Sequence, residues 1–205
     1  YNGVWMSDID MDGDLDLILG VDGGATIVLR NNGDGTYTPN KLFASVIDLK
    51  DSAFLDIDGD GDVDAALLDG KGNLHVFINE RLGLFVEKKL TNAIGELAAL
   101  AVADVDNDGI LDVVAISKVG RIFNISSNSQ NNIEFSDIAK WEGTVDFLPG
   151  VSAIFAEDID NNGATDLIVT DGKTTRLFLN YGKGKIQQRP AIIPGNAMTV
   201  ADLRG

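Results

Sequence analysis

The sequence predicts an all-β fold made of repeated four-stranded antiparallel units, and three observations predict it. A nine-residue acidic loop, Asp-x-Asp-x-Asp-Gly-x-x-Asp, begins at Asp8 and returns three more times with small variations. Short apolar runs of strand-like composition, such as Val4–Met6 before the first loop and Leu17–Leu19 after it, flank each copy. Glycine-rich turns follow each second run, and the chain of 205 residues contains 23 glycines.

The spacing of the loops predicts how the units are arranged. The first aspartates of the four loops are Asp8, Asp56, Asp104 and Asp158, which gives intervals of 48, 48 and 54 residues. A period in this range is typical of β-propeller blades. We therefore expect one propeller domain over residues 1–205. Its blades are expected at about 1–47, 48–95, 96–148 and 149–196, and a fifth begins at 197–205.

Each period divides into four predicted strands. For blade 1 they are Val4–Ser7, Leu15–Gly20, Thr26–Asn31 and Tyr37–Phe43; for blade 2, Ala53–Leu55, Val63–Leu68, Asn73–Asn79 and Leu84–Leu90. For blade 3 they are Leu100–Ala103, Leu111–Ser117, Arg121–Ile125 and Ile133–Phe135; for blade 4, Ser152–Ala156, Asp166–Thr170, Thr175–Asn180 and Lys185–Ala191.

Two further segments depart from this pattern. Residues Ser136–Gly150 lengthen blade 3 and contain Trp141, which is either a recognition residue or packed against the neighbouring blade. Met198–Gly205 restarts an inner strand and the first residues of a loop, with Arg204 where the second acid is expected. Because an isolated inner strand leaves its edge unpaired, we expect a piece of a larger propeller of six to eight blades.

The acidic loops predict four calcium sites. Carboxylates placed two residues apart repel one another, and a hard cation with oxygen ligands relieves that repulsion. The expected ligands are loop positions one, three, five and nine through side chains and position seven through its carbonyl. This ligand set comprises Asp8, Asp10, Asp12, Asp14, Asp16, Asp56, Asp58, Asp60, Asp62, Asp64, Asp104, Asp106, Asp108, Ile110, Asp112, Asp158, Asp160, Asn162, Ala164 and Asp166.

Other interpretations of the loops are less consistent with the sequence. An EF-hand requires a glutamate at position twelve, where Leu19, Leu67, Ala115 and Val169 stand. Zinc is disfavoured because no cysteine or histidine lies near the loops. Clusters of Asp and Gly also form ordinary turns, but four copies in register make that alternative weak. With Asn162 at position five, the fourth loop carries the least charge, and we expect it to bind calcium least tightly.

The order of strand, acidic loop, strand, glycine-rich turn and Asn-Gly-ended strand resembles the FG-GAP/VCBS repeat over essentially the whole chain. That resemblance implies an integrin-α-like β-propeller. The stretch Leu29–Tyr37, with the sequence LRNNGDGTY, resembles more closely the ASPIC/UnbV-type and cartilage-acidic-protein-like propellers. The resemblance to this repeat family further implies an extracellular, cell-surface or periplasmic location.

Composition limits the classes of function. The formal net charge is −16, but seventeen of the 32 acidic residues lie in the four loops, and four divalent ions would halve that charge. Much of the acidity is thus site chemistry, and it argues against a nucleic-acid ligand. The absence of cysteine excludes disulfides. No apolar run reaches the length of about 18 residues that a membrane span needs, so membrane insertion of this segment is not expected.

Three functions are consistent with these features. The first is a non-catalytic, calcium-stabilised module for adhesion, with a protein or glycan ligand on the face opposite the calcium loops. By the resemblance, that surface combines Asp22–Ala25, Asp69–Gly72, Lys118–Gly120, Asp171–Thr174, the region of Leu49–Ser52, and Trp141–Gly150.

The second function is a self-associating subunit of a filament or stalk. The third is the scaffold of a polysaccharide lyase or another secreted enzyme, and the sequence offers little for it. The single histidine, His75, is flanked by apolar strand residues and is assigned no catalytic role, while nothing singles out Tyr181 or Arg176.

Overall fold

The computed structural model describes residues 1–90, 94–128, 132–143, 145, 147–182, 185–195, 197 and 199. Within these residues, sixteen strands form four antiparallel sheets of four strands each. In every sheet the strands follow one another in chain order, so each sheet is a simple meander. The predicted all-β propeller with four-stranded blades is confirmed.

The strand bounds are as follows. Blade 1 contains β1 (Gly3–Ser7), β2 (Asp16–Gly20), β3 (Ile27–Asn31) and β4 (Tyr37–Asn40). Blade 2 contains β5 (Asp51–Leu55), β6 (Asp64–Leu68), β7 (Leu74–Asn79) and β8 (Phe85–Lys88). Blade 3 contains β9 (Leu97–Ala103), β10 (Asp112–Ser117), β11 (Arg121–Ser127) and β12 (Ile133–Lys140). Blade 4 contains β13 (Ala153–Glu157), β14 (Asp166–Thr170), β15 (Thr174–Asn180) and β16 (Ile186–Pro194).

The second strand of each middle blade is buried on both sides. In β6, Ala65 and Leu67 pack in the core shared with blade 1, while Ala66 and Leu68 pack in the core shared with blade 3. Because successive side chains of a strand point to opposite faces of the sheet, one strand supplies two cores. In β10 the same alternation occurs from Val113 to Ile116. The blades therefore stack face to face in chain order, with an apolar core between each pair.

The first strands are the inner strands of the propeller. β5 lies beside β9, and β9 lies beside β13, whereas the fourth strands lie at the outer edges of their sheets. Every loop between a first and a second strand is thus placed at the same end of the molecule.

Among the described residues, no blade covers the side of blade 1 that faces away from blade 2, which we call its outer side. Val4 and Met6 of β1 are 57% and 63% exposed. Trp5, between them, points the other way and packs against the core between blades 1 and 2. Apolar side chains on this side of blade 1 are consequently in contact with solvent.

Several predicted strand ends were wrong. β12 continues to Lys140 instead of ending at Phe135, and β16 continues to Pro194 instead of Ala191. Both are outer strands with mixed polar and apolar residues, so no apolar run marks their length. In each, a register shift against the third strand accommodates the irregular pairing.

In blade 1 the outer strand is shorter than predicted. β4 ends at Asn40, because the chain then turns inward and buries Phe43 completely. The Phe43 ring lies 5.0 Å from that of Phe77 and 5.1 Å from that of Phe85. Packing into the core between blades 1 and 2 thus removes Phe43 from the sheet.

Of the two alternatives for Trp141, the one that makes it a recognition residue is wrong. Trp141 is only 2% exposed and packs edge-on against Phe147, with ring centroids 5.0 Å apart. The guanidinium of Arg176 lies 4.4 Å from the centroid of the Trp141 ring. The backbone N–H of Trp141 donates to the carbonyl of Gly120 (2.8 Å), which ties this segment to the β10–β11 turn. The alternative, packing against the neighbouring blade, is confirmed.

The predicted start of a fifth blade falls mostly outside the described residues. Met198, Val200, Asp202 and Arg204 all belong to that part of the chain. Within the described part, no helix has the length and apolar character that crossing a membrane would require.

Candidate metal loops and the opposite face

The four acidic loops connect the first and second strands of the four blades. Loop 1 follows β1 at Asp8, and loops 2, 3 and 4 follow β5, β9 and β13 at Asp56, Asp104 and Asp158. Because the four sheets share one topology, all four loops lie on the same end of the propeller. We call that end the loop face.

Two backbone positions in each loop lie in the left-handed region. Position six, predicted from its glycine, has φ between 84° and 94° in Gly13, Gly61, Gly109 and Gly163. Position four also has a positive φ, which the sequence analysis missed. Its φ values are 59° for Met11, 78° for Gly59, 64° for Asn107 and 60° for Asn161. Gly and Asn are the residue types that tolerate this conformation, so three of the four copies carried the signal.

The aspartate at position one folds each loop around its carboxylate. In loop 1, Asp8 accepts hydrogen bonds from the backbone N–H groups of Asp12 (3.1 Å) and Gly13 (3.0 Å). Asp56, Asp104 and Asp158 accept the equivalent pairs of bonds in their loops. These bonds close the turn without using all the lone pairs of either oxygen.

The aspartate at position nine joins the loop to the third strand. Asp64 is completely buried and accepts from the backbone N–H groups of Ile57 (2.8 Å) and Asn79 (2.8 Å). Asp16 and Asp166 make the same two bonds in blades 1 and 4. Burial raises the pKa of Asp64 to about 6, the cost of holding a carboxylate in this position.

Loop 3 differs at the same position. Asp112 accepts a hydrogen bond from Nδ2 of Asn124 (3.0 Å), and burial raises the pKa of Asp112 to about 6.

Three carboxylates converge in every loop. In loops 1, 2 and 4 they belong to positions one, three and nine, whereas in loop 3 they belong to positions one, three and five. Each group brings one oxygen per residue within 4.8 Å of the others: Asp8, Asp10 and Asp16; Asp56, Asp58 and Asp64; Asp104, Asp106 and Asp108; Asp158, Asp160 and Asp166. Twelve of the twenty predicted ligands are therefore brought together, and such groups can hold a metal ion.

The remaining eight predicted ligands lie in the same loops but outside these groups. At position five, Asp12, Asp60 and Asn162 use one side-chain oxygen to accept from the N–H of position seven, at 2.8–3.0 Å. Position seven, held through that bond, is occupied by Asp14, Asp62, Ile110 and Ala164. The last of the eight is Asp112, whose contact with Asn124 is described above.

The electrostatics of the loops are compatible with a cation. Burial, followed by the charges of neighbouring aspartates, raises the pKa of Asp58 and that of Asp106. Among the described residues, one carboxylate oxygen of Asp10 and one of Asp62 are buried without a hydrogen-bond partner. Buried, unpartnered anionic oxygens are costly, and a hard divalent ion is the chemistry that satisfies them.

Asparagine side chains connect neighbouring loops, a feature that sequence reasoning missed. Nδ2 of Asn79, at the end of β7, donates to the carbonyl of Ile9 in loop 1 (3.3 Å) and to that of Val63 in loop 2 (3.3 Å). In blade 4, Nδ2 of Asn180 likewise donates to carbonyls of loops 3 and 4, at 2.8 and 3.1 Å. Blade 3 ends its third strand with Ser127, whose hydroxyl donates to the next carbonyl along the chain.

Among the described residues, two concavities lie on the face opposite the loops. One, of about 380 Å³, lies between blades 1 and 2 and is lined by Ser45, Ile47, Asp48, Asp69, Gly70 and Lys71. The other, of about 300 Å³, is lined by residues that include Lys50, Asp51, Gly150 and Ser152. Both include parts of the surface that the sequence predicts for a partner.

Asp51 lies at the inner edge of this face. Its carboxylate accepts from the backbone N–H of Leu100 in β9 (2.8 Å) and from that of Ser52 (2.9 Å). Burial raises the pKa of Asp51 to about 6. This contact joins the inner strands of blades 2 and 3.

The sequence matches the model of the FG-GAP-like repeat in two overlapping segments, residues 8–67 and 56–115. Each segment runs from one acidic loop through the next. No curated protein matches the chain.

Among solved structures, the chain is similar to a lectin of Agrocybe aegerita, described for its specific recognition of non-reducing terminal N-acetylglucosamine. The two share 24% sequence identity with a TM-score of 0.61. The similarity covers 93% of this chain and 51% of the lectin chain, so this chain spans about half the lectin's length. At this identity, the similarity establishes the shared fold.

Proposed function

We propose, from the premise that the chain belongs to the FG-GAP-like repeat family, that it is a calcium-stabilised, non-catalytic propeller module that binds a glycan or protein partner outside the cell. The observation that carries the proposal is the convergence of three carboxylates at the same place in all four blades. The same group of acids therefore recurs at the same place on each blade, where one ion per blade could hold the loop against its strands.

Calcium is the proposed ion because every side-chain ligand is an oxygen and because carboxylates predominate. The proposed ligands are the twenty residues of loop positions one, three, five, seven and nine. Calcium accepts six to eight oxygens in flexible geometry, whereas Mg²⁺ needs a tighter octahedral shell. The buried oxygen of Asp10 that has no hydrogen-bond partner among the described residues supports an ion of this kind. When bound, the ion would neutralise the clustered charge and fix the loops against their strands.

Equilibrium dialysis with metal analysis tests the calcium proposal. We expect about four calcium ions per chain, with dissociation constants of roughly 10⁻⁴–10⁻³ M, as in extracellular calcium modules. In loop 2, Asp60→Ala should impair binding much more than Asp62→Ala, since position seven is proposed to act through its carbonyl. An equal loss in Asp62→Ala would instead make its side chain the ligand. No bound calcium at these concentrations would overturn the proposal.

The proposed partner surface is the face opposite the loops, which leaves the metals a structural role. Two observations support a glycan as the first ligand to test: the lectin with the same fold recognises terminal N-acetylglucosamine, and the concavity between blades 1 and 2 combines polar groups with Ile47. Ile47 is 48% exposed, so an apolar sugar face could contact it.

A glycan array followed by calorimetry tests this surface. N-acetylglucosamine-terminated glycans are the first probes, and Ile47→Asp and Lys71→Glu should weaken any hit at least about fivefold if the concavity is the site. Lys89→Glu, an exposed charge change beyond the outer strand of blade 2, is the matched control. A hit that both site variants leave unchanged would move the partner surface elsewhere.

The blades are further proposed to be part of a larger ring of six to eight. The chain spans half of the lectin's length, and Val4 and Met6 expose apolar surface on the outer side of blade 1. Electron cryomicroscopy of the natural full-length protein is the test. A ring closed by these four blades alone, with Val4 buried against blade 4, would contradict the proposal.

A further inference from the structure

An arginine side chain from the third strand of blade 1 contacts loop 1. Arg30 lies on β3, and its guanidinium contacts two aspartates of the loop. Its Nε pairs with Oδ2 of Asp10, and its Nη2 lies 3.1 Å from Oδ2 of Asp12. The Arg30 side chain is 49% exposed, whereas that of Asp10 is only 15% exposed. The Arg30 side chain therefore extends from the exposed surface of the sheet to the less exposed carboxylates of the loop.

The arginine is specific to blade 1. Arg30 immediately precedes Asn31, whose backbone N–H bonds the position-nine aspartate. The residues that precede the equivalent asparagines of blades 2 and 4 are Ile78 and Leu179. In blade 3, the position at the same distance from the first loop aspartate is Ser126. Among the four blades, only blade 1 has a positively charged residue at this strand position.

The contact occupies oxygens that a metal would use. Oδ1 of Asp12 accepts from the N–H of Asp14 (3.0 Å), and Oδ2 of the same carboxylate accepts from Arg30, so both oxygens have a donor. Hydrogen bonding to Asp12 and the charge of Asp10 raise the pKa of Arg30 further above its ordinary value. An arginine guanidinium is not deprotonated in proteins, so the charge of Arg30 is permanent.

We propose that Arg30 is a built-in counter-cation of loop 1, which supports the loop when no metal is bound and whose bond to Asp12 an incoming calcium ion must displace. This inference rests on the proposed calcium function. It has two consequences. Loop 1 keeps its shape in the absence of calcium, and its affinity for calcium is lower than its five aspartates alone would give.

Two variants of Arg30 test the inference. Arg30→Gln removes the charge and keeps a polar side chain, and Arg30→Lys keeps the charge but cannot contact both carboxylates with a planar fork. The matched control is Arg121→Gln, because Arg121 is also exposed on a third strand and pairs with an aspartate, Asp137, outside the loops.

Calorimetric calcium titrations and thermal melts in EDTA are the measurements. Arg30→Gln should raise the calcium affinity of one site about two- to fivefold, the range that corresponds to an exposed ion pair. It should also lower the melting temperature in EDTA while leaving it nearly unchanged in saturating calcium. Arg30→Lys should fall between the wild type and Arg30→Gln. Arg121→Gln should leave every calcium affinity unchanged.

A second substitution assigns the improved site. Asp10→Asn should abolish the gain that Arg30→Gln produces, since it removes the loop 1 ligand that Arg30 contacts. If wild-type protein binds about four calcium ions and Arg30→Gln changes neither affinity nor the EDTA melt, the inference fails while the proposed function stands. If wild-type protein binds no calcium, the proposed function fails first.

Discussion

Met11 is the one residue at position four of a loop that is neither glycine nor asparagine. Its φ of 59° places a Cβ-bearing, unbranched side chain in the left-handed region, which costs about 1–2 kcal/mol for an ordinary L-residue. The side chain is 45% exposed, so packing does not offset that cost. Loop 1 therefore stores backbone strain that the other three loops avoid through their choice of residue.

Replacing Met11 should relieve the strain. We expect Met11→Asn and Met11→Gly each to raise the free energy of unfolding by about 1 kcal/mol, or the melting temperature by about 2–4 °C. Met11→Ala is the control and should give little gain, because alanine keeps the Cβ. Urea unfolding of the four proteins in calcium measures this. Equal stability of Met11→Asn and Met11→Ala would show that the loop relaxes around methionine.

Among the elements, the loops and third strands are linked by the buried asparagines. Asn79→Ser should remove the bonds to Ile9 and Val63 and leave two carbonyls without their donor. We expect a loss of about 1–3 kcal/mol in the free energy of unfolding. Asn31→Ser is the matched control, since Nδ2 of Asn31 donates to the carbonyl of Leu15 within its own blade (3.2 Å).

The difference between the two variants measures the bond across the blades. Chemical unfolding of both proteins should show the larger loss in Asn79→Ser. The opposite order would mean that the capping of Asn79's own turn, where its Oδ1 accepts from Gly83, dominates its contribution.

The segment after β12 acts as part of the core between blades 3 and 4. Trp141→Ala should destabilise the protein by about 3–5 kcal/mol, since a fully buried aromatic is lost and a cavity remains. Trp141→Phe should cost less because it keeps an aromatic ring beneath Arg176. Thermal melts measure the stability of both variants. Ligand binding, measured at a temperature at which each variant is folded, is the second readout. A stable Trp141→Ala that has lost ligand binding would contradict the buried position.

The strands and acidic loops could largely be predicted from the sequence. The features that could not be predicted depend on contacts between residues distant in the chain. The loops, with Gly13 and its equivalents, were predicted because their residues encode their own conformation. Trp141 could not be placed, because an aromatic residue in a long connection can face solvent or a neighbour, and only packing decides. Arg30 and Asn79 were missed for the same reason: their partners are distant in the sequence and the residues themselves form ordinary strands.

For the whole molecule, the carboxylates with raised pKa values determine how stability depends on pH. The pKa values of Asp51, Asp64 and Asp112 are each raised to about 6, above the ordinary value of 3.8. The folded metal-free protein therefore binds more protons than the unfolded chain between about pH 4 and 6. This contribution to stability is fully present below that interval and is lost as pH rises through about 6.

Melting curves should show this in the presence of a chelator. We expect the melting temperature in EDTA to rise as the pH falls from 7.5 to 5. In saturating calcium the rise should be much smaller, because a bound ion favours the ionised forms of Asp64 and Asp112 and leaves chiefly Asp51. At pH 7.5, calcium should raise the melting temperature and Mg²⁺ should do so poorly. A melt that neither EDTA nor pH affects would contradict both expectations.

The chain-order pairing of the strands also has a consequence for how the protein is made. Every strand of the four described sheets pairs only with strands adjacent to it in the chain. A ribosome adds about 5–20 residues per second, so a blade emerges in about 2–10 s, whereas a hairpin forms in about 1–10 μs. Each sheet can thus form before the next has been synthesised. Because the second strands of blades 2 and 3 each belong to two cores, either of these blades, when newly made, has one apolar side uncovered until the next blade is synthesised.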